Sequence, residues 1–145
     1  MSVALAGRVQ TFLAFDFGTK RVGVASGNSM MRQAQPLRTI AVEGDARFKA
    51  IGQLIAEWCP DALVVGVPFH PDGAEHDNTV RARKFGRQLA GRFQRPVIEV
   101  DERYSTTEAQ AGGARDLDAA SAAIILQQYF NALSAPGSGS PQGEA

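Results

Sequence analysis

Hydrophobic positions recur along this chain in two rhythms, and their order predicts an α/β fold. Phe12 to Phe17 is a short apolar run broken by one charge, Asp16, and Arg21 to Ala25 is a second run rich in valine. Gly18-Thr19 between them supplies turn chemistry, so the two read as a β-hairpin. Pro36 to Val42 reads as a third strand. Phe48, Ile51, Ile55 and Trp58, spaced three and four apart, predict one face of a helix, with Asp45 as its N-cap and Pro60 as its stop. Ala62 to Val67 is apolar throughout, the pattern of a strand covered on both sides.

Helical spacing returns over 78–93, with Phe85, Leu89 and Phe93 on one face, and Val97 to Val100 is another covered strand. Ser105 and Glu108 form a capping-box pattern that opens a short helix. Asp116 to Phe130 then makes an alanine-rich helix with Ile125, Leu126 and Tyr129 inward. Strands that alternate with helices imply right-handed crossovers and parallel pairing. The expected architecture is a mixed five-stranded sheet, antiparallel in its opening hairpin and parallel in the remainder, flanked by helices.

Composition narrows this picture without changing it. At 145 residues and 44% hydrophobic, the chain suits one domain with a real core. That domain is expected over 1–133, with a disordered Gly/Ser/Pro-rich tail over 134–145. Fifteen basic residues balance fifteen acidic ones, so net charge gives no argument for nucleic acid or membranes. The single cysteine, Cys59, rules out an intrachain disulfide framework, and its place beside Trp58 reads as packing. No signal peptide or membrane span is legible, and a soluble intracellular domain is expected.

Three acidic positions fall at element ends, where α/β sheets gather their active sites. Asp16 lies in the first strand, Asp101 and Glu102 follow the last strand, and Asp118 opens the last helix. Each has a structural explanation: Asp16 capping a turn, Glu102 paired with an arginine, Asp118 capping a helix. Their joint occurrence favours a site, because clustered carboxylates repel one another unless a divalent cation neutralises them. Oxygen-only ligands suit Mg2+ or Mn2+, and such ions activate water against a phosphodiester.

Cations complete the pattern. Thr19, Lys20 and Arg21 in the hairpin turn stand close to where a phosphate would sit. Between positions 78 and 96 lie Arg81, Arg83, Lys84 and Arg87, then Arg92 and Arg95, with no acidic residue among them. Arg83 and Arg87 are one helical turn apart, as are Arg81 and Lys84, away from the Phe85–Leu89 stripe. Such a face holds phosphates, and Arg103 beside the acidic pair joins the same group of nucleic-acid contacts. His70 and His76 lack further ligands at zinc spacing and read as loop residues.

The stretches FDFGTKRVGVA, VVGVPFHPDG, VDERYSTTEA and DLDAASAAIIL, in this order, resemble the YqgF family of Holliday-junction-resolvase-like proteins. The similarity covers about residues 10 to 131. Members of that family are regarded as nucleases for the 5′ end of pre-16S ribosomal RNA. The resemblance implies an RNase H-like fold, a cytoplasmic location and a role in ribosome biogenesis. It also implies metal-binding acids at Asp16, Glu102 and Asp118, with Glu102 favoured over Asp101. The chain departs from the family in having only QAGGAR, 110–115, before the last helix, which removes an expected nucleic-acid contact.

The resulting expectation is a metal-dependent nuclease acting on structured RNA, with no membrane partner and an oligomeric state left open between monomer and weak dimer. A Holliday-junction resolvase acting on branched DNA is the nearest alternative. A non-catalytic RNA-binding assembly factor is a second. DFGTKRVGVA also resembles the phosphate-binding hairpin of actin-like and sugar-kinase ATPases, but those close two such domains around a nucleotide, and this chain supplies one.

Overall fold

The computed structural model describes residues 9–69, 72–75, 77–101 and 117–134. Among them, five strands form one sheet: β1 (Thr11–Phe17), β2 (Val22–Asn28), β3 (Gln35–Ile40), β4 (Ala62–Val67) and β5 (Val97–Asp101). Their spatial order is β3-β2-β1-β4-β5. The β1–β2 and β2–β3 pairs are antiparallel, whereas β1–β4 and β4–β5 are parallel, as the succession of strand and helix signals implies. Among the described residues, three helices flank the sheet: α1 (Gly44–Trp58), α2 (Asp77–Phe93) and α3 (Leu117–Ser134). None is long and apolar enough to cross a membrane.

Strand alternation divides the core into two layers. Leu13, Phe15, Val22, Val24, Leu63, Val65 and Val67 face α1 and α2, where they meet Ile51, Leu54, Ile55, Phe85 and Leu89. Phe85 lies edge-on to Phe15 and packs at a tilt against both Phe17 and Phe48. On the opposite side, Phe12, Ala14, Ala25, Ala62 and Val64 meet Ala122, Ile125, Leu126 and Phe130 of α3. Every residue of β4 is buried, as its unbroken apolar run requires.

Boundaries and one face differ from expectation. β3 stops at Ile40, because Val42 is exposed and the chain turns there toward α1. The N-cap of α1 is Glu43, without a side-chain cap bond, and Asp45 sits in the first turn instead. Trp58 keeps the predicted spacing but is exposed, since α1 ends there with Cys59 in a left-handed conformation. Trp58 lines a groove of about 200 Å³ with Met31, Pro60 and Phe12. Cys59 is likewise exposed rather than packed, its thiol directed at the Ala56 carbonyl. The capping box at 105–108, both histidines, the 110–115 segment and the tail beyond Ser134 lie outside the described residues.

Phe85→Ala removes the ring shared by three others at the centre of the larger layer. It is expected to lower the free energy of unfolding by about 3–5 kcal/mol, measured by urea denaturation.

Candidate active site

Asp16 is the last residue of β1 that faces α3: Phe12 and Ala14 precede it on that side, while Phe15 and Phe17 point to the other layer. It is half-buried, where the strand leaves the core. Its partner across the β1–β2 ladder is Gly23, so the two residues share a face. A Cβ built on Gly23 would lie 1.8 Å from the carbonyl oxygen of Asp118. The first turn of α3 therefore rests directly on β2 at that glycine, and Asp118 lies beside the Asp16 end of β1.

The hairpin turn closes the other side. Phe17 pairs with Val22, which leaves residues 18–21 as the loop. A Cβ on Gly18 would stand 2.6 Å from the Arg21 carbonyl, so the turn has room for glycine alone at that point. Arg21 is ion-paired with Asp118, its Nε 2.8 Å from Oδ2. Two residues singled out from the sequence as metal ligand and phosphate contact are thus ion-paired to each other.

Arg47, which the sequence reading passed over, holds the turn from beneath. It is buried on α1, with Nη2 donating to the Thr19 carbonyl at 3.1 Å and Nε to the Val42 carbonyl at 3.0 Å. Its guanidinium carbon is 5.7 Å from the centre of the Phe17 ring. Burial pulls this group below the ordinary arginine value, with the charge of Glu43 opposing. It remains a cation. The signal was available: Arg47 precedes Ile51 by four and Leu54 by seven, which puts it on the buried stripe of the helix.

Asp101, the first of the acidic pair, is the last residue of β5. Val97 packs on the α1–α2 layer, Ile98 and Val100 on the α3 layer, and Glu99 reaches Arg83 of α2. Asp101 continues the Val97–Glu99 side and so faces away from the layer that holds Asp16. Glu102 and Arg103 lie outside the described residues. Among the described residues no three His, Cys, Asp or Glu side chains gather closely enough to hold a metal ion.

The basic helix lies across the sheet from Asp118, packed on β4 and β5. Its start is fastened to the same edge as Asp16, for the Thr79 hydroxyl donates to the Pro68 carbonyl just after β4. Acidic partners do exist for this face, supplied by other elements. Arg83 pairs with Glu75 at 2.7 Å and with Glu99 at 3.4 Å, and it lies over Phe69. Arg92 stacks over Phe48, and Arg95 donates to the carbonyls of Pro60 and Phe93. Arg81, Lys84 and Arg87 are exposed, as is Arg92, and Arg81 is also near Asn78 Oδ1.

Residues 10–132 match the family model described as "RuvX: Holliday junction resolvase". A protein of Albidiferax ferrireducens carrying the name "Putative pre-16S rRNA nuclease" is 63% identical over 131 residues, 90% of this chain and 84% of its own. One of a Polaromonas species with the same name is 66% identical over 129 residues, 89% of this chain and 94% of its own. Among solved structures, Thermus thermophilus RuvC in complex with a Holliday junction substrate superposes with a TM-score of 0.54 at 17% identity, covering 86% of this chain and 96% of its own. The fold is RNase H-like, with the strand order that this neighbour shares.

Two substitutions test the geometry. Gly23→Ala forces α3 away from β2 and is expected to cost about 1–3 kcal/mol of stability, whereas Gly91→Ala, on a helix face with no atom near the new methyl, should add up to about 1 kcal/mol. Thermal denaturation of both variants decides whether the close approach exists. Arg47→Ala leaves two carbonyls without their donor and should cost about 1–3 kcal/mol, read from the urea midpoint. An unchanged midpoint would mean the turn is held by other means.

Proposed function

The chain belongs to the RuvX family, and we propose that it is a divalent-metal-dependent endonuclease that processes the 5′ end of pre-16S ribosomal RNA. The observation that carries this reading is the convergence of Asp16 and Asp118 on one face of the sheet, at the Gly23 contact. The names of relatives more than 60% identical support the substrate. A cytoplasmic location follows from that substrate.

The donor chemistry fits a hard divalent cation: carboxylate oxygens from a strand and a helix end, without sulfur or imidazole. Asp16, Asp118 and Glu102 would hold it. That Asp101 faces the opposite layer supports Glu102 as the third ligand. When bound, the cation supplies charge neutralisation at the attacking and leaving oxygens.

The remaining work falls to the chain's own cations. Lys20 and Arg21, on a turn fixed by Gly18 and Arg47, orient the scissile phosphate, with Thr19 beside them. Arg81, Lys84 and Arg87 hold flanking backbone phosphates along α2. Arg83, already engaged by two carboxylates, contributes less than its neighbours. Water adds to phosphorus in line, the bond to the 3′ oxygen breaks, and that oxygen takes up a proton. The products carry a 5′-phosphate and a 3′-hydroxyl.

The test is cleavage of a labelled pre-16S 5′-leader RNA in Mn2+, with four-way junction DNA alongside. Asp16→Asn is expected to lower the rate of RNA cleavage at least about a hundredfold. Cutting of the junction alone would transfer the assignment to a resolvase. Absence of cutting on either substrate would favour an RNA-binding assembly factor.

A further inference from the structure

We infer that Arg21 is a built-in counter-ion for Asp118 that a divalent cation displaces, so that metal arrival frees the guanidinium for a substrate phosphate. The inference rests on the metal-ligand reading of Asp118 and deepens it. Arg21 pairs with the carboxylate, Nε lying 2.8 Å from Oδ2, and its side chain is 63% exposed against 33% for Asp118. An exposed pair of this kind shifts its equilibrium by no more than about fivefold. A divalent ion on the same carboxylate competes for the same oxygen and repels the neighbouring guanidinium.

The opposite role, in which the arginine orients the carboxylate for the metal, has different structural requirements. An orienting partner of a metal ligand is fixed by further hydrogen bonds and by burial. Arg47 has those properties toward the turn carbonyl, being buried and bonded through two nitrogens. Arg21 lacks that burial. Its backbone, by contrast, is well placed: Gly18 packs against its carbonyl, and Arg47 grips Thr19 two residues earlier. The side chain is therefore a tethered cation with a fixed root and a free head.

The fork geometry of a guanidinium suits two oxygens of one phosphate, and its side-on mode, which needs Nε, is unavailable while Nε serves Asp118. Metal and phosphate binding are then coupled positively through one side chain, and the coupling is reciprocal. In the absence of the divalent ion, the same pair offsets the Asp118 charge beside Asp16 and limits repulsion between the two acids.

Mn2+ affinity, measured from the free-ion paramagnetic resonance signal of the intact protein, tests this without reference to cleavage. Arg21→Gln should bind Mn2+ about two- to fivefold more tightly than wild type, and Arg21→Lys, which keeps the charge, should stay within about twofold. A misfolded variant would not gain affinity. Unchanged or weaker binding by Arg21→Gln overturns the inference, the weaker case pointing to an orienting role. Asp118→Asn separates the two readings. If it leaves Mn2+ affinity intact, Asp118 is no ligand and both readings fail. If it reduces affinity at least about tenfold while Arg21→Gln gains nothing, only the inference fails.

Discussion

The close approach of a helix end to a strand at Gly23 sets the geometry of everything around it. At its start helix α3 comes this near because both surfaces carry small residues there, whereas Phe12, Leu126 and Phe130 fill the layer farther along. Ala14 and Ala25 on the sheet meet Ala119, Ala122 and Ala123 on the helix, all buried. The other layer is filled by rings and branched chains, with Phe15, Phe85 and Ile51 at its centre. The sheet thus has a thick side and a thin side. The proposed site sits on the α3 side, where the helix start reaches the strand at Gly23.

Two arginines divide the work at the hairpin turn according to their burial. Arg47, desolvated and bonded to carbonyls, acts as a fixed part of the scaffold. Arg21, at the far side of the same four-residue loop, is exposed and bonded to a carboxylate. One residue type therefore supplies both rigidity and a responsive charge, and the surroundings decide which. The same distinction runs along α2, where Arg83 is absorbed by Glu75 and Glu99 while Lys84 and Arg87 remain at the surface.

Most of the architecture was legible in the sequence because it follows from local pattern. The turn at Gly18-Thr19, the unbroken run of β4 and the three-four spacing of Phe85 and Leu89 each report directly on burial. Asp16 was conspicuous because a charge interrupted an apolar strand. Contacts between distant segments were not legible. The Gly23–Asp118 approach joins positions about a hundred residues apart, and Gly23 looked like any small residue in a valine-rich strand. The partners of Arg83 were hidden for the same reason, since Glu99 lies in a strand that no local count of charges on α2 includes. Trp58 obeyed its helical period but fell on the last turn, and periodicity does not say where a sheet ends.

The strand order also governs when the site exists during synthesis. β1, β2 and β3 are contiguous and antiparallel, so their ladder can form as soon as about forty residues have emerged. That early sheet already contains Asp16, but β1 remains an open edge until β4 arrives to cover it. Asp118 belongs to the last element, and α3 is what closes the thin layer over β1 and β2. A nascent chain therefore carries Asp16, one of the three proposed acids, with no helix end beside it until Leu117–Ser134 has been made. Topology thus defers the proposed meeting of Asp16 and Asp118 to the last element of the fold.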